Sequence, residues 1–388
     1  MDVPQSQRLS PRGRRGLGLI ALAVIAIVAA SLVYLHPNLS SNPRAAPPPI
    51  ILPPVSKQGD DINYDFVTPS MGWALVVRAA PAGGPGQFWV YRTTDSAKHW
   101  QPQFTVQSGY VGLGPDWVQF FDKANGLIVV QSLTQLVYRT TDGGAHWSSV
   151  ALPEPGGGLI AFSDPSHGWL LVSMGSPTNQ TANLYSTADG GNTWQRLPDP
   201  PPDVAVVLTF RRPSEGWTAS RSTSGDPLPH VYSSSDGGRS WDRHDLPLPP
   251  DGLPAGTTVI VRLLPGIGVV VFLDAGNGAV YTLTSFDGGT SWTYVQPRPS
   301  RTSFFGVVDF QDALHWWAID GWILFKSSDA GQTWNQVSDQ LSSSYGYIPH
   351  VLDSKHAWAL VLYPAGTGLT LTTDGGLHWT RANVPQPA

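Results

Sequence analysis

Short runs of alternating apolar and polar residues recur along the chain from about residue 62 onward. One such run is Leu136-Val137-Tyr138-Arg139-Thr140, and this alternation is typical of a strand that buries one of its two faces. No segment after residue 36 has a convincing apolar period of about 3.6 residues, which an amphipathic helix would show. The pattern therefore predicts an all-β chain beyond that point.

A short motif, Ser/Thr-x-Asp-x-Gly-x-x-Trp, recurs seven times among these strands, and we call it the Asp box. Its first copy runs from Thr93 to Trp100 and has Ala97 in place of the glycine. The box aspartates are Asp95, Asp142, Asp189, Asp236, Asp287, Asp329 and Asp374. They lie 42 to 51 residues apart, and a period of this length without helical patterning is typical of propeller blades.

A second motif precedes most boxes, in which an apolar residue is followed seven positions later by another, usually a Trp after a Gly. The pairs are Phe66/Trp73, Phe120/Leu127, Phe162/Trp169, Phe210/Trp217, Phe310/Trp317 and Val351/Trp358. The fifth repeat departs from this pattern, with only Leu263 to Val271 in its place. Each repeat thus predicts four strands, A to D, with strand A ending at the first apolar residue and strand D beginning at the box Trp.

Together the two motifs predict one closed, seven-bladed β-propeller of four-stranded antiparallel blades, preceded by one N-terminal transmembrane helix. Each blade is expected to be contiguous in sequence, from about residue 62 to about residue 384, with strand A innermost. The ring then closes by packing between the first and seventh blades. The alternative is that Ile50-Ile51-Leu52 adds an edge strand to the last blade.

The N-terminal segment predicts a membrane tether. Four arginines precede an uncharged apolar run over residues 16–35: Arg8, Arg12, Arg14 and Arg15. A helix of this length spans a bilayer, and the arginines place the N-terminus in the cytoplasm. A signal peptide cleaved after Val28-Ala29-Ala30 is the alternative. The predicted division is a cytoplasmic tail (1–15), the anchor or signal segment (16–35), a Pro-rich linker (36–61) and an extracytoplasmic propeller (62–388).

The Asp boxes are expected to be structural. An Asp side chain can accept hydrogen bonds from loop N–H groups, and Gly supplies a left-handed backbone conformation. One carboxylate per blade, spread round a ring, cannot converge on one substrate. His99, His146 and His378 stand where Ser or Thr usually precedes the box Trp, and the remaining histidines show no metal-ligand spacing. The sequence therefore predicts neither a metal site nor a cofactor.

Loop lengths suggest where recognition takes place. The A–B and C–D turns have nearly constant length, whereas the B–C and D–A connections on the opposite face vary from blade to blade, which favours recognition there. The candidate binding residues on that face are Arg78, Trp117, Arg221, His230, Arg298, Arg301, Tyr345, Tyr347 and His350. Arg, Tyr and Trp are enriched in protein-recognition surfaces.

Composition narrows the class of partner. Charged residues make up only 13% of the chain, the net charge is −5, and there is no basic block in the predicted propeller. Binding to nucleic acid is therefore not expected. The absence of cysteine excludes disulfides and a catalytic thiol. We expect a monomer that contacts a protein partner, with the membrane reached through the N-terminal helix.

Both motifs resemble the repeat of the photosystem II stability/assembly factor family of Asp-box propellers. The residues that carry the resemblance most clearly are Phe162, Asp164, Gly168 and Trp169, followed by Thr187 to Trp194. The resemblance covers residues 62–384 and implies a seven-bladed propeller that acts as a scaffold for membrane-protein assembly intermediates. A photosynthetic role is implied only in a photosynthetic organism.

Asp boxes also occur in sialidases and in xyloglucan-cleaving glycosidases. Sialidases carry an Arg-Ile-Pro motif, which this chain lacks, and the xyloglucanase type uses two propellers. Asp226, Asp274 and Asp320 lie in predicted B–C loops and leave a catalytic carboxylate pair open. The sequence-based expectation is a binding scaffold that is not an enzyme, with a glycan-binding propeller or a sialidase-like glycoside hydrolase as the alternative.

Overall fold

The computed structural model of this chain divides it into two units, residues 1–48 and 49–388. The structure describes residues 55–57, 60–78, 86–108, 116–130, 135–154, 158–176, 179–201, 204–220, 228–249, 252–254, 257–275, 280–295, 308–339, 341, 347–363 and 366–387. All of them belong to the second unit. The predicted cytoplasmic tail, the anchor over residues 16–35 and most of the linker lie outside these residues. Within the described part, no helix is long and apolar enough to cross a membrane.

The described residues form seven antiparallel sheets of four strands each. Blade 1 contains β1 (Asp60–Phe66), β2 (Gly72–Arg78), β3 (Gly86–Thr93) and β4 (Gln101–Ser108). Blade 2 contains β5 (Trp117–Phe120), β6 (Gly126–Val130), β7 (Leu136–Thr140) and β8 (Ser148–Ser149). Blade 3 contains β9 (Gly158–Phe162), β10 (Gly168–Ser176), β11 (Asn179–Thr187) and β12 (Gln195–Arg196). Blade 4 contains β13 (Val204–Arg212), β14 (Glu215–Ser220), β15 (His230–Ser234) and β16 (Asp242–Asp245).

The last three blades follow the same order. Blade 5 contains β17 (Thr258–Leu263), β18 (Val269–Asp274), β19 (Val280–Ser285) and β20 (Thr293–Tyr294). Blade 6 contains β21 (Val308–Phe310), β22 (Trp316–Asp320), β23 (Ile323–Ser327) and β24 (Asn335–Ser338). Blade 7 contains β25 (Tyr347–Val351), β26 (Ala357–Tyr363), β27 (Gly366–Thr372) and β28 (Thr380–Ala382). Every blade is contiguous in sequence, so the prediction of seven four-stranded antiparallel blades is confirmed.

Apolar contacts between neighbouring blades explain the Phe and Gly-Trp motif. Trp73 of blade 1 stacks on Phe120 of blade 2, with ring centroids 3.5 Å apart, and Trp169 stacks on Phe210 at the same distance. The glycine before the Trp is needed because the Phe ring of its own blade covers it: a Cβ on Gly72 would lie 2.5 Å from the Phe66 ring. The motif therefore encodes both a cross-strand pair and an inter-blade stack.

The fifth blade differs from the sequence interpretation. Leu263 pairs with Val269, and the Leu264 amide donates to the carbonyl of Gly268. Leu263 and Val269 therefore occupy the positions that Phe66 and Gly72 take in blade 1, which puts Val270 at the Trp position, so the choice of Leu263 was right and that of Val271 was wrong by one residue. The hairpin has the same length as in blade 1, where Phe66 pairs with Gly72, but Leu263, Val269 and Val270 replace the Phe, Gly and Trp.

Within the described residues the ring closes by packing between blades 1 and 7, as predicted, and each of the seven sheets is contiguous in sequence. Phe66 of blade 1 packs against Trp358 of blade 7 at 5.7 Å, and the Trp100 indole donates to the carbonyl of Asn383 at 2.9 Å. The alternative edge strand at residues 50–52 lies outside the described residues. Close behind it, the Ser56 amide donates to the Thr367 carbonyl at 3.1 Å, so this part of the linker is held against blade 7.

Candidate functional site

The antiparallel order gives the propeller two different ends. The A–B turns and the C–D loops with their Asp boxes lie at one end, which we call the Asp-box end. The B–C and D–A connections lie at the other, the loop end. First strands of consecutive blades contact one another, for example β1 with β5 and β9 with β13, and these strands surround the central channel. Candidate sites can therefore be placed at either end or in the channel.

The box aspartates are saturated by hydrogen bonds within their own loops. Asp189 accepts the backbone N–H of Thr193 at 2.9 Å, the Thr193 hydroxyl at 2.6 Å and the Thr187 hydroxyl at 2.8 Å. These bonds, with that from the Thr193 hydroxyl the largest cause, lower the pKa of Asp189 to about 2. All seven boxes make the same bonds from the residue four positions after the Asp and from the Ser or Thr before it. This geometry supports a structural role.

Histidines at this end also have carboxylate partners. His99, His146 and His378 each place Nδ1 2.6 Å from their box aspartate. A second set, which the sequence analysis did not single out, pairs His167, His315 and His356 with the A–B turn aspartates Asp164, Asp312 and Asp353. In the described part of the chain, no group of three or more such side chains is placed to hold a metal ion.

Two sets of hydrogen bonds tie the Asp-box end together. Within blade 3, the Gly190 amide of the box donates to the carbonyl of Ser166 in the A–B turn at 2.8 Å. Between blades, the Trp169 indole donates to the carbonyl of Gly237 in the next box at 2.9 Å. Trp73 makes the same bond to Gly143. The A–B turns therefore hold the boxes of six blades to their own blades, and the Trp73 and Trp169 indoles hold two of the boxes to the preceding blade.

Two predicted recognition residues, Arg78 and His230, make contacts within their own blades. The Arg78 guanidinium ends β2, donates to both carboxylate oxygens of Asp60 at 2.6 and 2.9 Å and lies over the Trp89 ring at 4.8 Å. His230 begins β15 with only 1% of its surface exposed, and its ring meets Tyr232 edge-on at 5.2 Å. Both residues were expected on the B–C or D–A connections, whereas Arg78 ends β2 and His230 begins β15; a role for either residue in binding stays a prediction.

The remaining candidates fall in three groups. His350 lies within β25 and stacks on Trp358 at 3.9 Å, and burial lowers its pKa. Tyr347 is the first residue of β25. Four candidates lie outside the described residues and stay predictions: Arg221, Arg298, Arg301 and Tyr345.

Trp117 lies on the innermost strand of blade 2 rather than in a loop. It is the half-buried first residue of β5 and lines a cavity of about 390 Å³, which we call the channel cavity. The other lining residues come from the first strands of blades 2, 3 and 4: Gln119, Ile160, Ala161, Phe162, Thr209 and Phe210. The surface that this cavity exposes is mainly polar, with the Trp117 ring, the Gln119 amide and the Thr209 hydroxyl among its lining groups.

Polar side chains on other first strands join neighbouring blades around the channel. Asp65 of β1 accepts the backbone N–H of Phe120 in β5, and Asp309 of β21 accepts that of Val351 in β25 at 2.7 Å. Burial raises the pKa of Asp65 to about 6, although the bond from Phe120 opposes the shift. These residues were not among the predicted site residues, although the alternation of polar and apolar residues in Asp61-Ile62-Asn63-Tyr64-Asp65 indicates a strand with one polar face.

Comparisons with known proteins identify propellers. No protein-family model matches the chain, and no curated protein matches it. Among solved structures it is similar to YCF48 from Cyanidioschyzon merolae, with 20% identity, a TM-score of 0.50, and coverage of 68% of this chain and 83% of the other. It is also similar to a structure of YCF48 bound to D1 peptide, with 19% identity, a TM-score of 0.52, and coverage of 86% and 97%. At this identity the likeness shows the fold.

Glycoside hydrolases also stand among the similar structures. One is an ancestral GH74 enzyme at 16% identity and a TM-score of 0.49, where the match covers 85% of this chain and 45% of the other. Another is an α-L-arabinanase from Penicillium chrysogenum at 15% identity and a TM-score of 0.41, covering 71% and 91%. The expectation that this chain is not an enzyme is contradicted by these matches. Because they show fold alone, they assign no activity.

Proposed function

We propose that this chain is an extracytoplasmic, membrane-tethered propeller that binds an extended segment of a membrane-protein partner in its channel cavity. The observation that carries the proposal is the position of Trp117, half-buried on β5 and facing a cavity of about 390 Å³. Aromatic residues that are anchored by a strand and line a pocket supply much of the energy of protein recognition.

The lining of the cavity suits a peptide. Trp117 and Ile160 offer apolar contact on a mainly polar surface, while Gln119 and Thr209 offer one amide and one hydroxyl. These groups can accept an apolar side chain and hydrogen-bond the backbone on either side of it. A similar propeller, YCF48, has a solved structure with a bound D1 peptide, and a relationship to such assembly factors is part of the proposal.

The location rests on the sequence. The apolar run over residues 16–35, with arginines before it, supports a single-pass anchor that leaves the propeller outside the cytoplasm. The Pro-rich segment after it supports a spacer between bilayer and propeller. Arg221, Arg298 and Arg301 in the B–C and D–A connections would add electrostatic attraction at the loop end, which weakens with salt.

Capture of membrane proteins by the tagged full-length chain tests the proposal. Trp117→Ala should lower the recovery of a given membrane protein by about tenfold or more, because it removes the aromatic anchor of the cavity. The matched control is Trp322→Ala, which removes an exposed Trp in the B–C turn of blade 6 and should leave recovery unchanged. Both variants should keep the melting temperature of the parent protein within a few degrees.

Three results separate the alternatives. Equal recovery by the parent chain and Trp117→Ala would remove the cavity as the site. Loss of recovery in Arg298→Glu with Arg301→Glu, but not in Trp117→Ala, would move recognition to the connections of the loop end. Binding of defined oligosaccharides that Trp117→Ala abolishes would identify a glycan, rather than a polypeptide, as the ligand.

A further inference from the structure

Large apolar side chains are exposed at the Asp-box end of three consecutive blades. Ile267 and Phe286 of blade 5 are 61% and 37% exposed, Leu314 of blade 6 is 48% exposed, and Leu377 of blade 7 is 51% exposed. The other large apolar side chains exposed in the described residues, Leu248 and Trp322, belong to connections of the loop end. We call the first four residues the apolar patch.

The fold does not require an apolar residue at the position of Leu314. Its carbonyl accepts the amide of Ala330 in the box of the same blade at 2.9 Å. Five other blades make this turn-to-box bond with a small or charged residue: Ser70, Ala124, Ser166, Ser214 and Lys355. Since a main-chain carbonyl makes the bond in every case, serine would serve equally well in blade 6.

Comparison of the boxes leads to the same conclusion for the other two blades. Phe286 directly precedes its box aspartate, where the other boxes have Thr94, Thr141, Ala188, Ser235, Ser328 and Thr373. Leu377 is the third residue after its box aspartate, where the others have Lys98, Ala145, Asn192, Arg239, Thr290 and Gln332. Large apolar residues thus replace small or polar ones at repeat positions that otherwise face water.

Local packing leaves these side chains available to a partner. The Phe286 ring lies over Gly268, where a Cβ would come within 2.7 Å of its Cε1 atom, and Gly268 directly follows Ile267. Between blades 6 and 7 there is a groove of about 300 Å³ whose lining includes His315, Trp317 and Ser354. Leu314 directly precedes His315, so the groove lies next to one of the four apolar side chains.

Charge around the apolar patch restricts the kind of partner. Five carboxylates belong to the turns and boxes of blades 5, 6 and 7: Asp287, Asp312, Asp329, Asp353 and Asp374. Hydrogen bonds from Ser291 lower the pKa of Asp287 to about 2, and those from His378 lower that of Asp374 to about 2, so both are ionised at neutral pH. Lys326 lies over the Trp317 ring at 3.4 Å. Among the described residues, Lys355, in the A–B turn of blade 7, is the other lysine at this end of the three blades. Carboxylates outnumber lysines here, so the surround of the apolar patch is mainly acidic.

We propose that the apolar patch is a second docking surface, which binds a basic amphipathic segment of a protein partner. Its apolar residues would contact Phe286, Leu314 and Leu377, while its lysines or arginines would lie beside the surrounding aspartates. An anionic lipid surface does not meet this requirement, because like charges would repel it. The proposal is independent of the channel cavity and of Trp117.

Binding of defined peptides tests it. The full-length protein is placed in nanodiscs of zwitterionic lipid, with empty nanodiscs as the blank, and titrated with a labelled amphipathic peptide of leucine and lysine. We expect saturable binding that weakens with salt. A triple variant, Phe286→Ser with Leu314→Ser and Leu377→Asn, introduces residues that other blades have at the equivalent positions. It should weaken binding by about tenfold or more. A control variant at the loop end, Leu248→Ser with Trp322→Ser, should bind normally.

The possible outcomes are distinct. Equal affinity for a leucine and glutamate peptide, or unchanged binding by the triple variant, would overturn the proposal. So would self-association of the parent protein that the triple variant abolishes, since the occupant would then be a second copy of this chain. Should the triple variant melt early, Leu377→Asn alone must still weaken binding, because that side chain is half exposed in a loop.

Discussion

Aspartates at the Asp-box end and in the channel make the same kind of bond with opposite electrostatic results. Asp189 accepts the Thr193 amide inside its own loop, next to water, and its pKa falls to about 2. Asp65 accepts the Phe120 amide of the next blade in a buried place, and its pKa rises to about 6. The box carboxylate ionises readily and stabilises one hairpin. The channel carboxylate joins two blades, and its burial opposes ionisation.

The two regions also differ in what holds adjacent blades together. At the Asp-box end, an indole ring stacks on a phenylalanine and donates to a neighbouring box, as Trp169 does with Phe210 and Gly237. Around the channel, side-chain carboxylates and amides reach main-chain groups, as Asn63 does when it donates to the Asp116 carbonyl at 2.7 Å. Apolar stacking should therefore dominate stability, and the buried channel carboxylates should contribute a dependence on pH opposite in sign to that of the box aspartates.

The largest expected effect follows from removing an indole at the Asp-box end. Trp169→Ala deletes a side chain that is 2% exposed, leaves a cavity beside Phe210, and should cost about 3–5 kcal/mol of unfolding free energy. Trp322→Ala removes the same side chain from an exposed turn and should change stability by about 0.5 kcal/mol or less. Chemical denaturation of both variants checks the difference, and equal midpoints would show that inter-blade stacking carries little stability.

The channel aspartate should give a smaller effect with a definite sign in pH. Between the unfolded pKa near 3.8 and the folded pKa of about 6, folded Asp65 binds more protons than the unfolded chain. Stability of the parent protein therefore falls as pH rises through this range. Asp65→Asn keeps an oxygen acceptor for Phe120 and cannot ionise, so we expect it to gain of the order of 2 kcal/mol at about pH 8 and little at about pH 4. A difference that does not vary with pH would contradict the buried carboxylate.

The box aspartate should show the reverse dependence. Because hydrogen bonds lower the folded pKa of Asp189 to about 2, its contribution is present above the unfolded value near 3.8 and is lost as pH falls towards 2. Asp189→Ala should therefore melt below the parent protein near neutral pH and approach it in acid. Asp95→Ala is expected to cost less, since that box already lacks both glycines. Identical melting temperatures for the parent and Asp189→Ala at neutral pH would rule out the structural role.

Sequence patterns predicted the features that depend on local bonding. The Asp box closes a hairpin through contacts within eight residues, so its spacing was enough to predict the number of blades and their phase. Blade 5 was misaligned by one residue because its hairpin, although of the usual length, has Leu263, Val269 and Val270 in place of the Phe, Gly and Trp. The second motif could not align blade 5 because its Phe, Gly and Trp are replaced there.

Features that depend on register between strands were harder to predict. Arg78 was expected on a connection of the loop end, but it ends β2, where strand pairing places it directly opposite Asp60. His230 was expected on a connection, but it is the buried first residue of β15 and its ring packs edge-on against Tyr232. The role of Asp65 could not be predicted without the register between β1 and β5, which places the backbone N–H of Phe120 beside the Asp65 carboxylate. Trp117 was predicted as a binding residue because Trp is enriched in recognition surfaces. It was expected in a loop but lies on the innermost strand of blade 2.

The smallest expected effect tests the backbone of the box itself. Ser96 and Ala97 have φ angles of 60° and 57°, in the region where the other boxes mostly use glycine, such as Gly143 and Gly144. A left-handed conformation costs a residue with a Cβ about 1–2 kcal/mol, while glycine adds back up to about 1 kcal/mol of unfolded-state entropy. Ser96→Gly should also lose the hydroxyl bond to the Pro69 carbonyl at 3.0 Å. The net gain should then be about 0.5 kcal/mol, seen as a slightly higher melting temperature.

A neighbouring residue in the same loop supplies the control for this last effect. Thr94 is exposed and is not among the described residues with a positive φ, so Thr94→Gly relieves no strain and should lower the melting temperature. Ala97→Gly relieves strain but removes a methyl group that is 0% exposed between blades 1 and 7, so it should gain less than Ser96→Gly. If Ser96→Gly proves no more stable than Thr94→Gly, the left-handed backbone of the first box is not a source of strain.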